Sequence, residues 1–216
     1  MALNQKNLEE FKDMKIGPKY KIARRLGAPI FEKTQTQKYA LNLSKKERSG
    51  KVPMRPKSNF GMQLLEKQKA RYTYLIPEKQ FAKYVKEVLE KKDAHGRARL
   101  FARLENRLDN VVFRAGFRPT RTASRQAVSH GHILVNGKKV TIPSYSVKVN
   151  DIVKVRPQSS ASPMFTDLIE RTKTYTPPQW LKCDFEKMEA TVTGVPDVSQ
   201  TDTLFDLNAV LEYYSR

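Results

Sequence analysis

Residues 104–156 carry the clearest structural signal in this chain and read LENRLDNVVFRAGFRPTRTASRQAVSHGHILVNGKKVTIPSYSVKVNDIVKVR. The pattern predicts two short helices followed by a tight hairpin, with basic side chains on one element after another. A small basic unit of this shape is suited to holding a folded RNA, and few of its residues are of the types that perform catalysis. RNA binding is therefore the first functional hypothesis.

The second predicted helix of this stretch begins after Thr120, which we expect to be its N-cap. Gly131 lies just beyond its expected end. Arg121 and Arg125 are four residues apart and should share one face of the helix. Arg118, just before the cap, extends the same basic patch.

The predicted hairpin follows at once. Asn136-Gly137 stands between the apolar run 133–135 and residues 138–140, and Asn-Gly in such a setting is the strongest short signal for a two-residue turn. It places Lys138 and Lys139 beside the turn. Residues 152–156 alternate apolar and basic side chains and predict a further strand.

Upstream of this stretch the apolar pattern is helical. It runs over 81–89, behind a helix start at Pro77-Glu78, and again over 100–112, with Gly116 as the expected terminator. Both stripes are ordinary core faces. Three arginines lie off the second stripe, and we expect them to reach outward: Arg103, Arg107 and Arg114.

The first 60 residues are rich in Lys, Gln, Ser and Pro and poor in apolar periodicity. Prolines interrupt any long helix there. We expect an extended basic arm with short helical pieces, ordered chiefly by its partner.

Composition points to a polyanionic partner. The 216 residues carry a formal net charge of +19, and self-repulsion of that size destabilises a folded chain unless a polyanion neutralises it. No apolar run reaches the roughly 20 residues that span a bilayer, so we expect no membrane partner. The C-terminal residues 184–216 have a negative net charge instead, because they contain two Lys or Arg against seven Asp or Glu.

Several segments together resemble the bacterial and organellar small-subunit ribosomal protein S-four family. Within 103–156, the runs RLENRLDNVVFRAGF, TRTASRQAVSHGHILVNGKKV and SYSVKVNDIVKVR are similar to the RNA-binding module named after that family. IGPKYKIARRLG (16–27), FGMQLLEKQKARYTY (60–74) and LNAVLEYYSR (207–216) resemble its other signatures, in the family's order. Only residues 1–15 look like an added extension.

The resemblance implies an α+β protein. It would have a basic extended N-terminal arm, a mainly helical domain, and a second domain in which a small RNA-binding module packs helices on a mostly antiparallel sheet. We expect the first domain to comprise residues 1–100, with residues 188–216 returning to it. The second would comprise 101–187, with the module at 104–156.

The implied function is that of a non-enzymatic structural constituent of the small ribosomal subunit. Such a protein binds small-subunit rRNA as a primary binder where several RNA helices meet, and nucleates assembly. It contacts neighbouring small-subunit proteins and lies near the mRNA entry path, with mRNA as a further partner and an influence on accuracy. It would work on a ribosome of the bacterial cytoplasm or of an organelle. The candidate RNA contacts are Lys19, Arg24, Arg25, Arg55, Lys67, Lys69, Arg71, Arg107, Arg118, Arg121, Arg125, Lys138 and Lys139.

We expect no metal and no cofactor. Many relatives hold zinc through cysteines of the N-terminal arm, but residues 25–55 contain none, and Cys183 is the chain's single cysteine. His130 and His132 are two residues apart with no cysteine near them in the sequence. Solvent-facing or phosphate-contacting histidines are the better interpretation.

Two alternatives remain open. The same type of module occurs in pseudouridine synthases, and Arg107-Leu108-Asp109 resembles their catalytic tripeptide. Here Leu108 falls on the core stripe, Asp109 can balance nearby arginines, and too few residues follow 156 to form a catalytic domain. The other alternative is a stand-alone RNA-binding quality-control factor, which would not need the N-terminal signatures.

Overall fold

The computed structural model describes residues 16–48, 58–91, 95–200 and 203–216. They divide into two compact units: unit 1 contains the described residues up to Lys86 together with Leu204–Arg216, and unit 2 is Glu87–Thr203. Helices and an antiparallel sheet are both present, which confirms the predicted α+β class. None of the helices in the described ranges has the length and apolar content needed to cross a bilayer.

The α-helices are α1 (Lys19–Leu26), α2 (Gln37–Arg48), α3 (Asn59–Tyr74), α4 (Glu78–Leu89), α5 (Gly96–Glu105), α6 (Leu108–Arg114), α7 (Arg121–Ser129), α8 (Pro157–Ser160), α9 (Leu168–Thr172) and α10 (Leu207–Ser215). Within the described ranges, 3₁₀ helices cover Glu32–Thr34 and Val198–Gln200. The strands are β1 (Ile133–Val135), β2 (Lys138–Lys139), β3 (Ile152–Val155), β4 (Leu181–Asp184) and β5 (Glu189–Val192).

In unit 1, residues 16–48 of the expected basic arm contain two helices and a 3₁₀ turn, which are the short helical pieces that the sequence predicted. The reason is a small apolar cluster in which Ile22 and Leu26 of α1 pack with Phe31 and with Leu75, just after α3. The other parts of the predicted arm, 1–15 and 49–57, lie outside the described residues.

The C-terminal helix α10 packs against α3 within unit 1. The ring of Phe60 stacks on that of Tyr213 at 5.4 Å between centroids, and Gln63 donates a hydrogen bond of 2.9 Å to Glu212. The expected return of the whole of residues 188–216 is not observed. Residues 188–203 belong to unit 2, because β5 pairs there with both β3 and β4.

Unit 2 is built on one five-stranded antiparallel sheet with strand order β2-β1-β3-β5-β4. Its core joins apolar residues of α6 and α7 to alternate residues of the strands, such as Val111, Ala127, Ile133 and Val153. The predicted Asn-Gly hairpin is confirmed, since Asn136 and Gly137 have φ of 50° and 77° in the turn between β1 and β2.

The apolar stripe over 100–112 is not one helix. The helical conformation is interrupted at Arg107, which is extended (φ −67°, ψ 136°) and separates α5 from α6. Beyond the break, the N–H of Leu108 donates to the carbonyl of Tyr145 at 2.9 Å. A distant loop therefore satisfies a backbone group that a continuous helix would have satisfied locally.

Candidate nucleic-acid interface

The basic face of α7 begins at the predicted cap. The Thr120 hydroxyl accepts a hydrogen bond of 3.0 Å from the backbone N–H of Ala123, which confirms the cap. This contact fixes the first helical turn, from which Arg121 and Arg125 project one turn apart on the same face. Both arginines are partly exposed.

Arg125 is held in place by a buried carboxylate of α6, that of Asp109. Its Nε and Nη2 donate to Oδ2 of Asp109 at 3.1 and 3.0 Å. Asp109 is 5% exposed and also accepts hydrogen bonds of 3.0 and 2.7 Å from Arg107. Two guanidinium groups thus share one carboxylate, so the cluster keeps a net positive charge.

Arg121 is positioned in a similar way. Its Nε donates to Oδ1 of Asn110 at 3.0 Å, and its guanidinium lies 4.3 Å from the ring centroid of Phe113. Asn110 in turn donates a 2.8 Å hydrogen bond to Glu105, which is 1% exposed. Glu105 also accepts two hydrogen bonds, of 2.8 and 2.9 Å, from Arg114.

Two of the arginines that we expected to reach outward are turned into the protein. Arg107 is 2% exposed and bound to Asp109, which contradicts its predicted outward orientation and removes it from the accessible surface. Arg114 reaches back across the helix break to Glu105. The break at Arg107 brings these carboxylates close to the arginines, and a continuous helix would have separated them.

Three further predicted contacts lie on unit 2. Arg118 is partly buried, donates to the carbonyl of Met164, and lies with its guanidinium carbon 5.6 Å from the ring centroid of Phe165. Lys138 and Lys139 are exposed on β2, directly after the hairpin turn.

On unit 1, the helix α1 carries three predicted contacts. Arg24 and Arg25 are exposed in its last turn. The ammonium of Lys19 lies 5.6 Å from the ring centroid of Phe31, within cation–π range. Arg55 lies outside the described residues.

The three predicted contacts on α3 are all paired with carboxylates of the same unit. Lys67 and Arg71 bind Glu78 at 2.8 and 3.2 Å, and Lys69 binds Glu66 at 2.7 Å. The Lys67 side chain is only 7% exposed. This burial contradicts a phosphate contact by Lys67 and makes it part of the support for α3.

Glu78 is the centre of that support. Burial raises the pKa of its carboxyl, but hydrogen bonds from Lys67 and Tyr214, together with the charges of Lys67 and Arg71, outweigh burial and lower the pKa overall. The Tyr214 hydroxyl donates to it at 2.7 Å. This carboxylate therefore joins α3, α4 and α10.

The described residues include no group of three or more His, Cys, Asp or Glu side chains that could hold a metal ion. Burial raises the pKa of the Cys183 thiol to about 11, which keeps it protonated near neutral pH.

Sequence reasoning missed the residues that hold the arginines in place, Glu105 and Asn110. The available signal was a pair of polar residues at or beside a buried stripe, since polar groups are buried only when they are hydrogen-bonded. Their partners could not be assigned, because Arg114 lies nine residues from Glu105 across the helix break, and Arg121 lies eleven residues from Asn110 on the next helix.

Two family models match this chain. One, described as the S4 domain, covers residues 106–153. The other, described as the ribosomal protein S4/S9 N-terminal domain, covers residues 14–105. The first coincides with the α6–α7 and hairpin region of unit 2, which carries Arg118, Arg121 and Arg125.

Relatives extend the similarity over most of the chain. The small ribosomal subunit protein uS4 of Natranaerobius thermophilus is 40% identical over 205 residues, which is 93% of this chain and 98% of that protein. The protein of the same name from Chlorobium phaeovibrioides is 39% identical over 200 residues, with 91% and 96% covered. That from Syntrophomonas wolfei is 46% identical over 159 residues, with 74% and 76% covered. The resemblance seen in the sequence is thereby confirmed.

Proposed function

We propose that this chain, which belongs to the small ribosomal subunit protein uS4 family, is a structural constituent of the small ribosomal subunit and binds small-subunit rRNA directly. The observation that carries the proposal is the basic face of α7. Arg121 and Arg125 are held there by Asn110 and Asp109, inside the segment that matches the S4 domain.

The mechanism is neutralisation of RNA phosphates by guanidinium groups that are already in place. Each basic contact releases condensed counterions, with a salt slope of about −0.7 to −0.9 per phosphate on nucleic acids. Fixing Arg121 and Arg125 beforehand reduces the side-chain ordering that binding would otherwise require. Paired RNA is recognised through shape, phosphates and 2′-hydroxyls, which suits fixed basic groups better than base-reading ones.

The proposed contact set omits the two buried residues, Lys67 and Arg107. Unit 2 contributes the α7 face, Arg118 and the two hairpin lysines, and unit 1 contributes further basic residues as a helical rRNA-binding domain. The members are Lys19, Arg24, Arg25, Arg55, Lys69, Arg71, Arg118, Arg121, Arg125, Lys138 and Lys139.

The finer role follows the family expectation. The chain is a primary binder at a junction of several rRNA helices, helps to nucleate subunit assembly, contacts neighbouring small-subunit proteins, and lies near the mRNA entry path, where it influences accuracy. Its place of work is the ribosome, in a bacterium or an organelle. A non-enzymatic role is supported by Asp109, whose carboxylate lies buried between two arginines, where a catalytic carboxylate would need to meet substrate.

The test is binding of the purified full chain to small-subunit rRNA over a salt series, with an unrelated structured RNA of equal length as competitor. We expect rRNA binding that survives excess competitor. Equal binding to both RNAs would overturn the proposal in favour of a general basic RNA binder.

A charge-matched pair of variants tests the α7 face. Arg121→Gln with Arg125→Gln should weaken rRNA binding by about 10- to 100-fold and make the salt slope shallower by about 1.5. Lys182→Gln with Lys187→Gln removes the same charge from exposed positions at the other end of the sheet and should change affinity less than threefold, about the weight of a surface charge. Equal losses in both pairs would show that only net charge matters.

A further inference from the structure

A second group of basic side chains, which shares Arg118 and Lys139 with the proposed contact set, lies on unit 2 where α7 ends and β1 begins. The rings of His130 and His132 are 6.0 Å apart between centroids. Nδ1 of His132 lies 2.9 Å from the Ser159 hydroxyl, and its ring meets that of Phe165 edge-on at 6.3 Å. These contacts occupy the Nδ1 side of the His132 imidazole, so a ligand would approach its Nε2.

Lys139 reaches into the same place over a glycine. A Cβ added at Gly131 would overlap with Cε of Lys139 and lie 2.9 Å from its Nζ. Gly131 also has a φ of 75°, a conformation that favours glycine. A side chain at position 131 would therefore displace the Lys139 side chain from His130 and His132, which flank this position in the sequence.

Two arginines complete the group. The backbone N–H of Arg156 donates to the carbonyl of His132 at 2.8 Å, which places Arg156 directly after β3 beside the histidine. Arg118 lies against the same Phe165 ring, and its Nε is buried without a hydrogen-bond partner among the described residues.

The electrostatics of the group are predominantly positive, and the acidic group that acts on its member Arg118 is Asp167. Burial lowers the pKa of His132, and the charges of His130, Arg156, Arg118 and Lys139 lower it further. These side chains come from the two ends of α7, from β2 and from the end of β3, and the charged groups that act most strongly on His132 are all basic. Convergence of like charges is unfavourable without an anion, and guanidinium and ammonium groups are the usual partners of phosphate.

We propose that Arg118, His130, His132, Lys139 and Arg156 form a phosphate-binding site, filled by an RNA phosphodiester and strengthened by protonation of His132. The inference rests on the proposed function, since it places one rRNA phosphate on this chain and adds a pH dependence to its binding.

The sign of the pH dependence follows from linkage. In the free chain His132 is neutral at neutral pH, because its pKa lies below the ordinary value of 6.5. A bound phosphate offsets the surrounding positive charge and raises this pKa, so binding takes up a proton. Affinity should then increase as the pH falls through the usual histidine range.

The experiment measures rRNA affinity of the full chain at about pH 7.5 and about pH 5.5, at constant ionic strength. We expect affinity to rise about three- to tenfold at the lower pH in the unaltered chain, which is less than the roughly hundredfold that uptake of one whole proton over two pH units would allow. His132→Asn should clearly reduce that rise, because only the second imidazole of the group, His130, is left. His95→Asn changes the third histidine of the chain, which precedes α5 and lies outside the group, and should preserve it.

A flat profile in the unaltered chain, or a full rise in His132→Asn, would overturn the inference. Preference for rRNA over the unrelated RNA at pH 7.5 tests the proposed function separately, because His132 is neutral there. Circular dichroism of each variant checks that it is folded. A loss of affinity in a second variant, Arg156→Gln, tests the same site independently of His132→Asn.

A titration of the free chain with inorganic phosphate separates the two sources of phosphate. We expect phosphate to shift the imidazole resonances of His132 in NMR spectra and rRNA to compete with it. A shift with phosphate that rRNA does not displace would assign the site to free phosphate and contradict the RNA phosphodiester.

Discussion

Asp109 shows how one buried residue supports a charged surface. It is the common partner of Arg107 and Arg125, and Arg107 has almost no access to water. In Asp109→Asn both guanidinium groups lose their counter-charge. Removing one partner of a buried ion pair costs about 3–5 kcal/mol, so we expect a fall of that size in the free energy of unfolding, measured by urea denaturation.

Asp167→Asn is the matched control for this substitution. Its carboxylate is 60% exposed and lies 3.5 Å from Arg171, so its loss should cost less than about 1 kcal/mol. Similar losses in the two variants would contradict a special role for the buried pair. An Asp109→Asn chain that remains folded should also bind rRNA more weakly, because Arg125 is no longer held.

At the residue scale, the sequence predicted the shared face of the α7 arginines better than it predicted the residues that hold them in place. Spacing alone places Arg121 and Arg125 on one face, because that relation depends only on the helical repeat. The buried Arg107 pairs with Ser146 of a later loop, and the nearly buried Lys67 lies over the ring of Tyr213 in α10, which is distant in the sequence. Such pairings are tertiary, and a local pattern does not contain them.

At the level of elements, Glu78 holds α3, α4 and α10 together. Its folded-state pKa is lower than the ordinary value of 4.5, so the stabilisation is complete above that pH and is lost as the pH falls through the lowered pKa. We expect thermal stability to drop on acidification below about pH 4.5, with a smaller drop in Glu78→Gln, whose baseline stability is already reduced. A calorimetric Tm measured across this range tests the prediction.

The tyrosines of α10 offer a finer test of the same junction. Tyr214→Phe removes the 2.7 Å hydrogen bond to Glu78 and should cost about 1.5–3 kcal/mol, as expected for a hydrogen bond to a charged group. Tyr213→Phe keeps the ring that stacks on Phe60 and contacts the Lys67 ammonium at 4.5 Å, so its stability should be nearly unchanged. Equal effects would contradict the assignment of the stabilising hydrogen bond to the Tyr214 hydroxyl.

The elements that the sequence predicted correctly are those with local signals. Thr120 as a cap and Asn136-Gly137 as a turn work through atoms a few residues away. The break at Arg107 has no such signal, because the loop carbonyl of Tyr145 maintains it. The membership of β5 in unit 2 is likewise set by pairing with β3, far back in the chain.

At the scale of the whole molecule, salt should act on folding and on binding with opposite signs. The net charge of +19 repels itself in the free chain, and ions screen that repulsion. Raising sodium chloride from about 50 to 200 mM should therefore raise the Tm of the free protein by about 2–4 °C, the shift that about 1 kcal/mol produces at this size. The same change should weaken rRNA binding by about a thousandfold if at least six phosphates are contacted. Sodium sulfate at equal ionic strength is the control, since a larger rise with sulfate would indicate an effect of the anion itself, by binding or by exclusion from the surface, in addition to screening. A Tm that falls with sodium chloride would show that internal ion pairs such as Arg125–Asp109 outweigh the net repulsion.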